Sequence, residues 1–100
     1  MMQVQQTRQF REWLASLRDQ RATAKIRARL ILMEAGAFGD VEPCGEGISE
    51  TRLHYGPGYR IYFVQRGNVL VIVLGGGTKR TQPKDIRRAK ELARDVEKFL

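Results

Sequence analysis

One hundred residues with 18 Lys plus Arg against 11 Asp plus Glu, 42% of them hydrophobic, make one domain, 1–100, that can close a modest core and carries a net charge of +7. One cysteine excludes an internal disulfide, and with one histidine it excludes a closed zinc site, so no metal or cofactor is expected. The longest apolar run, Val69 to Leu74, is far short of the roughly 20 residues that cross a bilayer, and the polar start (Gln3, Gln5, Gln6) is no signal peptide; a cytoplasmic protein without a membrane partner is expected.

Residues 2 to 6 alternate with period two and read as a short strand. From Thr7, a capping residue, Phe10, Trp13, Leu14 and Leu17 keep the spacing of an amphipathic helix. A second helix starts after Asp19, carries Ala22, Ile26, Leu30 and Met33 on one side, and stops at Gly36, so the two predict a helical hairpin. Arg21, Lys25 and Arg29 form one row of cations on the second helix, a solvated face or a partner surface. Residues 36 to 49, rich in Gly and polar residues, read as a loop.

The pattern then turns β-rich. Glu50 to Tyr55, Tyr59 to Gln65 and Val69 to Leu74, separated by Gly56-Pro57-Gly58 and Arg66-Gly67-Asn68, predict a three-stranded antiparallel meander. After Gly75-Gly76-Gly77, which lacks the residues of a phosphate-binding loop, Pro83 and Asp85 open a last helix with Ile86, Ala89, Ala93, Val96 and Leu100 on its buried side. The fold class is α+β: an N-terminal helical hairpin on a small, mainly antiparallel twisted sheet, with a C-terminal helix.

A three-residue turn at Gly56 to Gly58 pairs Tyr55 with Tyr59, His54 with Arg60 and Arg52 with Tyr62. A two-residue turn at Arg66-Gly67 pairs Phe63 with Leu70 and Ile61 with Ile72. One face then shows Leu53, Tyr55, Tyr59, Ile61 and Phe63, and the helices from both chain ends cover it. The other, with Arg52, His54, Arg60 and Tyr62 and overhung by Lys79 and Arg80, stays open: cations for phosphates and an aromatic plane for a base. On that placement Arg60→Ala leaves the fold intact.

Six segments in order carry a resemblance: Phe10 to Leu17 (F-x-x-W-L-x-x-L), Lys25 to Leu30 (KIRARL), Gly36 to Asp40 (G-x-x-G-D), Glu46-Gly47 with Glu50 and Arg52, Gly56 to Phe63 (GPGYRIYF) and Gly75 to Ile86 (GGGTKRTQPKDI). In these the chain resembles the RelE/ParE superfamily of toxins from type II toxin–antitoxin addiction modules, most closely the HigB-like group. The resemblance implies a sheet backed by an N-terminal helical hairpin. It further implies an mRNA interferase, an endoribonuclease that cuts translated mRNA on the ribosome, inhibits translation and is neutralised by a cognate antitoxin, with operator DNA met only through the antitoxin complex. It places Arg60 as the phosphate-stabilising arginine, Lys79 in the active site and Arg52 beside them. Many RelE-type nucleases also have a tyrosine in the C-terminal tail, whereas here Phe99 is the only aromatic residue after Thr81.

Metal-independent RNA cleavage needs a base for the 2′-hydroxyl, positive charge on the phosphorane oxygens and an acid for the leaving 5′-oxygen. Arg60 and Arg52 suit the charge role. His54, with an ordinary pKa of about 6.5, suits proton transfer, as does Lys79 if neighbouring cations lower its pKa. The catalytic candidates are therefore Arg60, Lys79 and His54, and the RNA-binding candidates Arg52, Tyr62 and Arg80. The alternatives are a ParE-like inhibitor of DNA gyrase that cleaves nothing and a degenerate toxin that only pairs with an antitoxin to regulate its operon.

Overall fold

The computed structural model describes residues 1–97 in the order β1 (Gln3–Gln6), α1 (Arg8–Ser16), α2 (Gln20–Glu34), β2 (Asp40–Gly45), β3 (Ile48–Leu53), β4 (Tyr59–Arg66), β5 (Leu70–Thr78) and α3 (Gln82–Glu97). Phe99 and Leu100 lie outside the described residues. The fold is α+β, a five-stranded mixed sheet with three helices. None of the described helices is long and apolar enough to cross a membrane.

The first two helices begin where a side chain can take up free backbone donors. Thr7 Oγ1 accepts from Phe10 N at 3.1 Å, and Asp19 Oδ1 accepts from Arg21 N and Ala22 N at 2.9 and 3.2 Å. At the far end of α2, Gly36 takes a φ of +83°, which lets its own N–H and that of Ala37 turn back onto the carbonyls of Met33 and Leu32.

The sheet runs β1-β5-β4-β3-β2, with β1 parallel to β5 and the other neighbours antiparallel. β2 falls where the sequence predicts a loop. It is an edge strand with both faces largely exposed, so it lacks the apolar alternation that marks a strand, and Pro43 sits where an edge tolerates it.

Both hairpin registers differ from those expected. Leu53 pairs with Tyr59, Arg52 with Arg60 and Glu50 with Tyr62, so the loop from β3 to β4 spans five residues, 54–58. This slip of two residues preserves the faces. Between β4 and β5, Phe63 pairs with Val73 and Arg66 with Leu70, and a bulge follows at Tyr62/Phe63. That slip of three is odd, so Leu70 and Ile72 turn to the opposite face and Val71 and Val73 take their place.

The second face is therefore not open. On one side Phe10, Leu14, Ala22, Ile26, Leu30 and Met33 of α1 and α2 pack on Leu53, Tyr59, Ile61, Phe63, Val71 and Val73. On the other, Ala89, Leu92 and Ala93 of α3 pack on Ile48, Tyr62, Val64, Ile72 and Leu74. The last helix thus covers the face opposite the first two, because β5 offers an apolar row to each side. β5 also runs four residues further than expected, through its glycines. Gly76 meets the six-membered ring of Trp13 and Gly77 meets the Asp85 carboxylate; a Cβ at either position would overlap its neighbour.

Candidate functional site

Beyond the apolar part of the α3-covered face, two cross-strand rows run from β2 through β3 and β4 to β5. One is Asp40, Arg52, Arg60 and Gly77; the next is Glu42, Glu50, Tyr62 and Gly75. Like charges directly opposite repel, so Arg52 and Arg60 need a counter-ion. Glu50 supplies it. Its side chain is only 3% exposed, with Oε2 3.5 Å from Arg60 Nε and 3.9 Å from Arg52 Nε. Its other oxygen accepts from Gln82 Nε2 at 2.6 Å. The α3 N-terminus is thereby tied to the arginines through one carboxylate.

Arg60, 8% exposed as a residue, is held on a second side: its Nη1 donates to the Gly58 carbonyl at 2.8 Å. Lys79 follows β5, its backbone N–H donating to the same carbonyl at 2.8 Å while its side chain is exposed, so these two predicted residues share one corner. Arg52 is also engaged by β2, its Nη2 lying 3.2 Å from both Asp40 and Glu42. His54 stands outside the sheet at the start of the five-residue loop, with a 76% exposed side chain and Nε2 2.6 Å from Asp40 Oδ2. That hydrogen bond, with Arg52 adding to it, holds the Asp40 carboxyl below its ordinary value. Arg80 is an exposed residue between β5 and α3.

Tyr62 is where the structure departs most from the expected site. The ring is fully buried under α3, so it offers no plane to a base. Burial, with Glu50 nearby, pushes its hydroxyl pKa up, and the oxygen has no hydrogen-bond partner among the described residues. The same burial overturns the placement of Arg60 on an open face: Arg60→Ala removes the nearest cation from the buried Glu50 carboxylate, a loss of about 3–5 kcal/mol.

Arg52, Arg60, Lys79 and, through Asp40, His54 thus form one connected group, while Tyr62 lies beneath it. Sequence reasoning gave Glu50 and Gln82 no part in the chemistry. The signal for Glu50 was its place two residues before Arg52 on one strand, which puts both side chains on one face. Burial and the neighbouring Glu50 push the Cys44 thiol up to about 12, which disfavours its thiolate form. The cation row on α2 also divides. Arg29 Nη1 donates to Thr51 Oγ1 and, at 3.0 Å, to the Arg52 carbonyl, a tie between helix and sheet, whereas Lys25 lies 5.1 Å over the Tyr55 ring.

Comparison with known proteins adds one relationship. A curated Haemophilus influenzae protein, described as an uncharacterized protein, is 45% identical over 95 residues, spanning 95% of this chain and 96% of its own length. The chain belongs to that protein's family. No family model matches it.

Proposed function

We propose that the chain is a HigB-like toxin of the RelE/ParE superfamily: a cytoplasmic endoribonuclease that cuts mRNA on the ribosome and is neutralised by a cognate antitoxin. The observation that carries this reading is the Arg52–Arg60 pair, two guanidiniums opposite each other on neighbouring strands with Lys79 at the same corner. Adjacent cations of this kind stabilise the dianionic phosphorane more than the singly charged phosphodiester of the ground state, which is what cleavage by the adjacent 2′-hydroxyl requires. The strands, turns and glycines of the six resembling segments supply the second support, since GPGYRIYF and GGGTKR are the stretches that build this corner.

Arg60 stabilises the phosphorane, and Arg52 grips the flanking phosphate after exchanging its β2 carboxylates for it. Lys79 and His54, both exposed, carry the proton transfers. Asp40 holds the imidazole by Nε2, as a carboxylate orients a catalytic histidine elsewhere, and leaves Nδ1 to the substrate.

The test expresses the wild type beside Arg60→Lys, follows growth and maps mRNA 5′ ends. Lysine keeps the charge opposite Glu50 and loses the planar fork, so it separates chemistry from unfolding. New 5′ ends within translated frames in the wild type, absent in Arg60→Lys, are expected. Arrest with intact mRNA overturns the nuclease in favour of a gyrase inhibitor, and no arrest in either strain in favour of a partner-only protein.

A further inference from the structure

We infer that Glu50 is a positioning residue: its buried carboxylate sets the orientation of Arg60 and Arg52 so that their outer nitrogens meet RNA phosphate. The inference rests on the nuclease reading above. Four observations carry it.

Glu50 is 2% exposed as a residue, so its charge is out of reach of substrate and acts only through its neighbours. Among the described residues it is the one carboxylate near both arginines' inner nitrogens, with Arg60 Nε at 3.5 Å and Arg52 Nε at 3.9 Å from a single oxygen. Those two nitrogens and that oxygen are all buried with no hydrogen-bond partner among the described residues, so the charge contacts between them are what offsets their burial. Gln82 clamps the opposite carboxylate oxygen at 2.6 Å, which stops the group from rotating away.

A guanidinium has five N–H donors in one plane, and fixing Nε on one side fixes where the others point. Arg60 is then held at Nη1 by its hydrogen bond to Gly58 and drawn at Nε by the Glu50 charge 3.5 Å away, which directs the Nη2 edge to a phosphate. Glu50 also neutralises part of the repulsion between the two cations, and allows them to stay side by side before RNA arrives. An orientation prepared in this way costs nothing at the moment of reaction.

The test compares wild type, Glu50→Gln and Gln82→Ala in two readouts: arginine Nε–H resonances of the 15N-labelled protein, assigned with Arg60→Lys and Arg52→Lys, and single-turnover cleavage of mRNA on programmed ribosomes. In the wild type the Arg60 Nε–H is expected to exchange slowly with water. Glu50→Gln should make it exchange fast while backbone amides of the helices keep their shifts, and should slow cleavage about tenfold to a hundredfold, the cost of a misplacement near one ångström. Gln82→Ala, at a half-buried position in the first turn of α3, should give the same changes in smaller measure.

Unchanged Arg60 exchange in a folded Glu50→Gln overturns the inference, as does a lost resonance with an unchanged cleavage rate. If Glu50→Gln does not fold, Gln82→Ala decides alone, and wild-type exchange and rate there overturn it. A wild-type protein that leaves ribosome-bound mRNA intact overturns the nuclease reading and the inference with it. A wild type that cleaves beside variants that do so equally well overturns the inference only.

Discussion

Asp19 shows how much one surface residue can do. It caps α2 through two backbone donors, and its other oxygen accepts from the Tyr55 hydroxyl at 2.9 Å, joining the first helix pair to the loop beyond β3. The bond from Tyr55, followed by that from Ala22 N–H, pulls the Asp19 carboxyl below its ordinary value of 3.8, and the same bond raises the Tyr55 hydroxyl. The unfolded chain therefore binds the proton first as pH drops. The contribution of Asp19 to stability is complete above about pH 4 and drains away as pH falls through the lowered folded value. Asp19→Asn, which keeps one cap acceptor but loses the charge, should flatten the acid limb of a melting-temperature profile and leave its neutral part nearly level. An acid limb identical to that of the wild type would show that another carboxylate governs it.

At the scale of elements, the glycines of β5 are what let helices approach both sides of one strand. Gly76→Ala pushes a methyl into the Trp13 ring, which also packs against Phe10 and Tyr59 at centroid distances of 5.8 and 6.2 Å. The aromatic ring cannot fold aside, so the substitution should cost about 1–3 kcal/mol in urea denaturation. Gly75→Ala, which meets nothing within 4 Å, is the control and should cost far less.

The same strand explains which parts of the fold were legible in the sequence. The helices were, because Thr7, Asp19 and Gly36 mark their ends and a 3.6-residue period marks their faces. The faces of β3 and β4 were too, since an even slip in register moves no side chain across the sheet. β5 was not: Val69 to Leu74 is apolar at every position, so alternation gave no sign of which residues point where, and the odd slip went unseen. With that face misassigned, α3 was placed on the wrong side, and Tyr62 and Arg60 were taken as open. The basic corner was still readable from Arg52, Arg60 and Lys79, whereas its counter-ion was marked only by Glu50 standing two residues before Arg52, which puts both on one face without telling that the face is covered.

For the whole molecule, the surplus of cations is unevenly spread. Four of the 11 acids, Asp40, Glu42, Glu46 and Glu50, lie on the β2–β3 hairpin and its turn, and they engage Arg52, Arg60, Lys90, Arg94 and His54. Lys79 and Arg80 stand exposed at the other edge of the corner. Binding of a short single-stranded RNA should therefore weaken with salt, with a log–log slope of about −3 if Arg52, Arg60, Lys79 and Arg80 each neutralise one phosphate. Fluorescence anisotropy across a range of KCl concentrations measures it. A flat response would remove phosphate from the account of this surface.

The parallel pairing of β1 with β5 sets a timetable for biosynthesis. Gln3 lies beside Leu70 and Gln6 beside Val73, so β1 leaves the translating ribosome well before β5, the strand it pairs with. α1 and α2 wait as well, since the residues they cover belong to β3, β4 and β5. Contacts of such long sequence separation form slowly. The nascent chain keeps its basic arginine corner unbuilt until β3, β4 and Lys79 have all emerged.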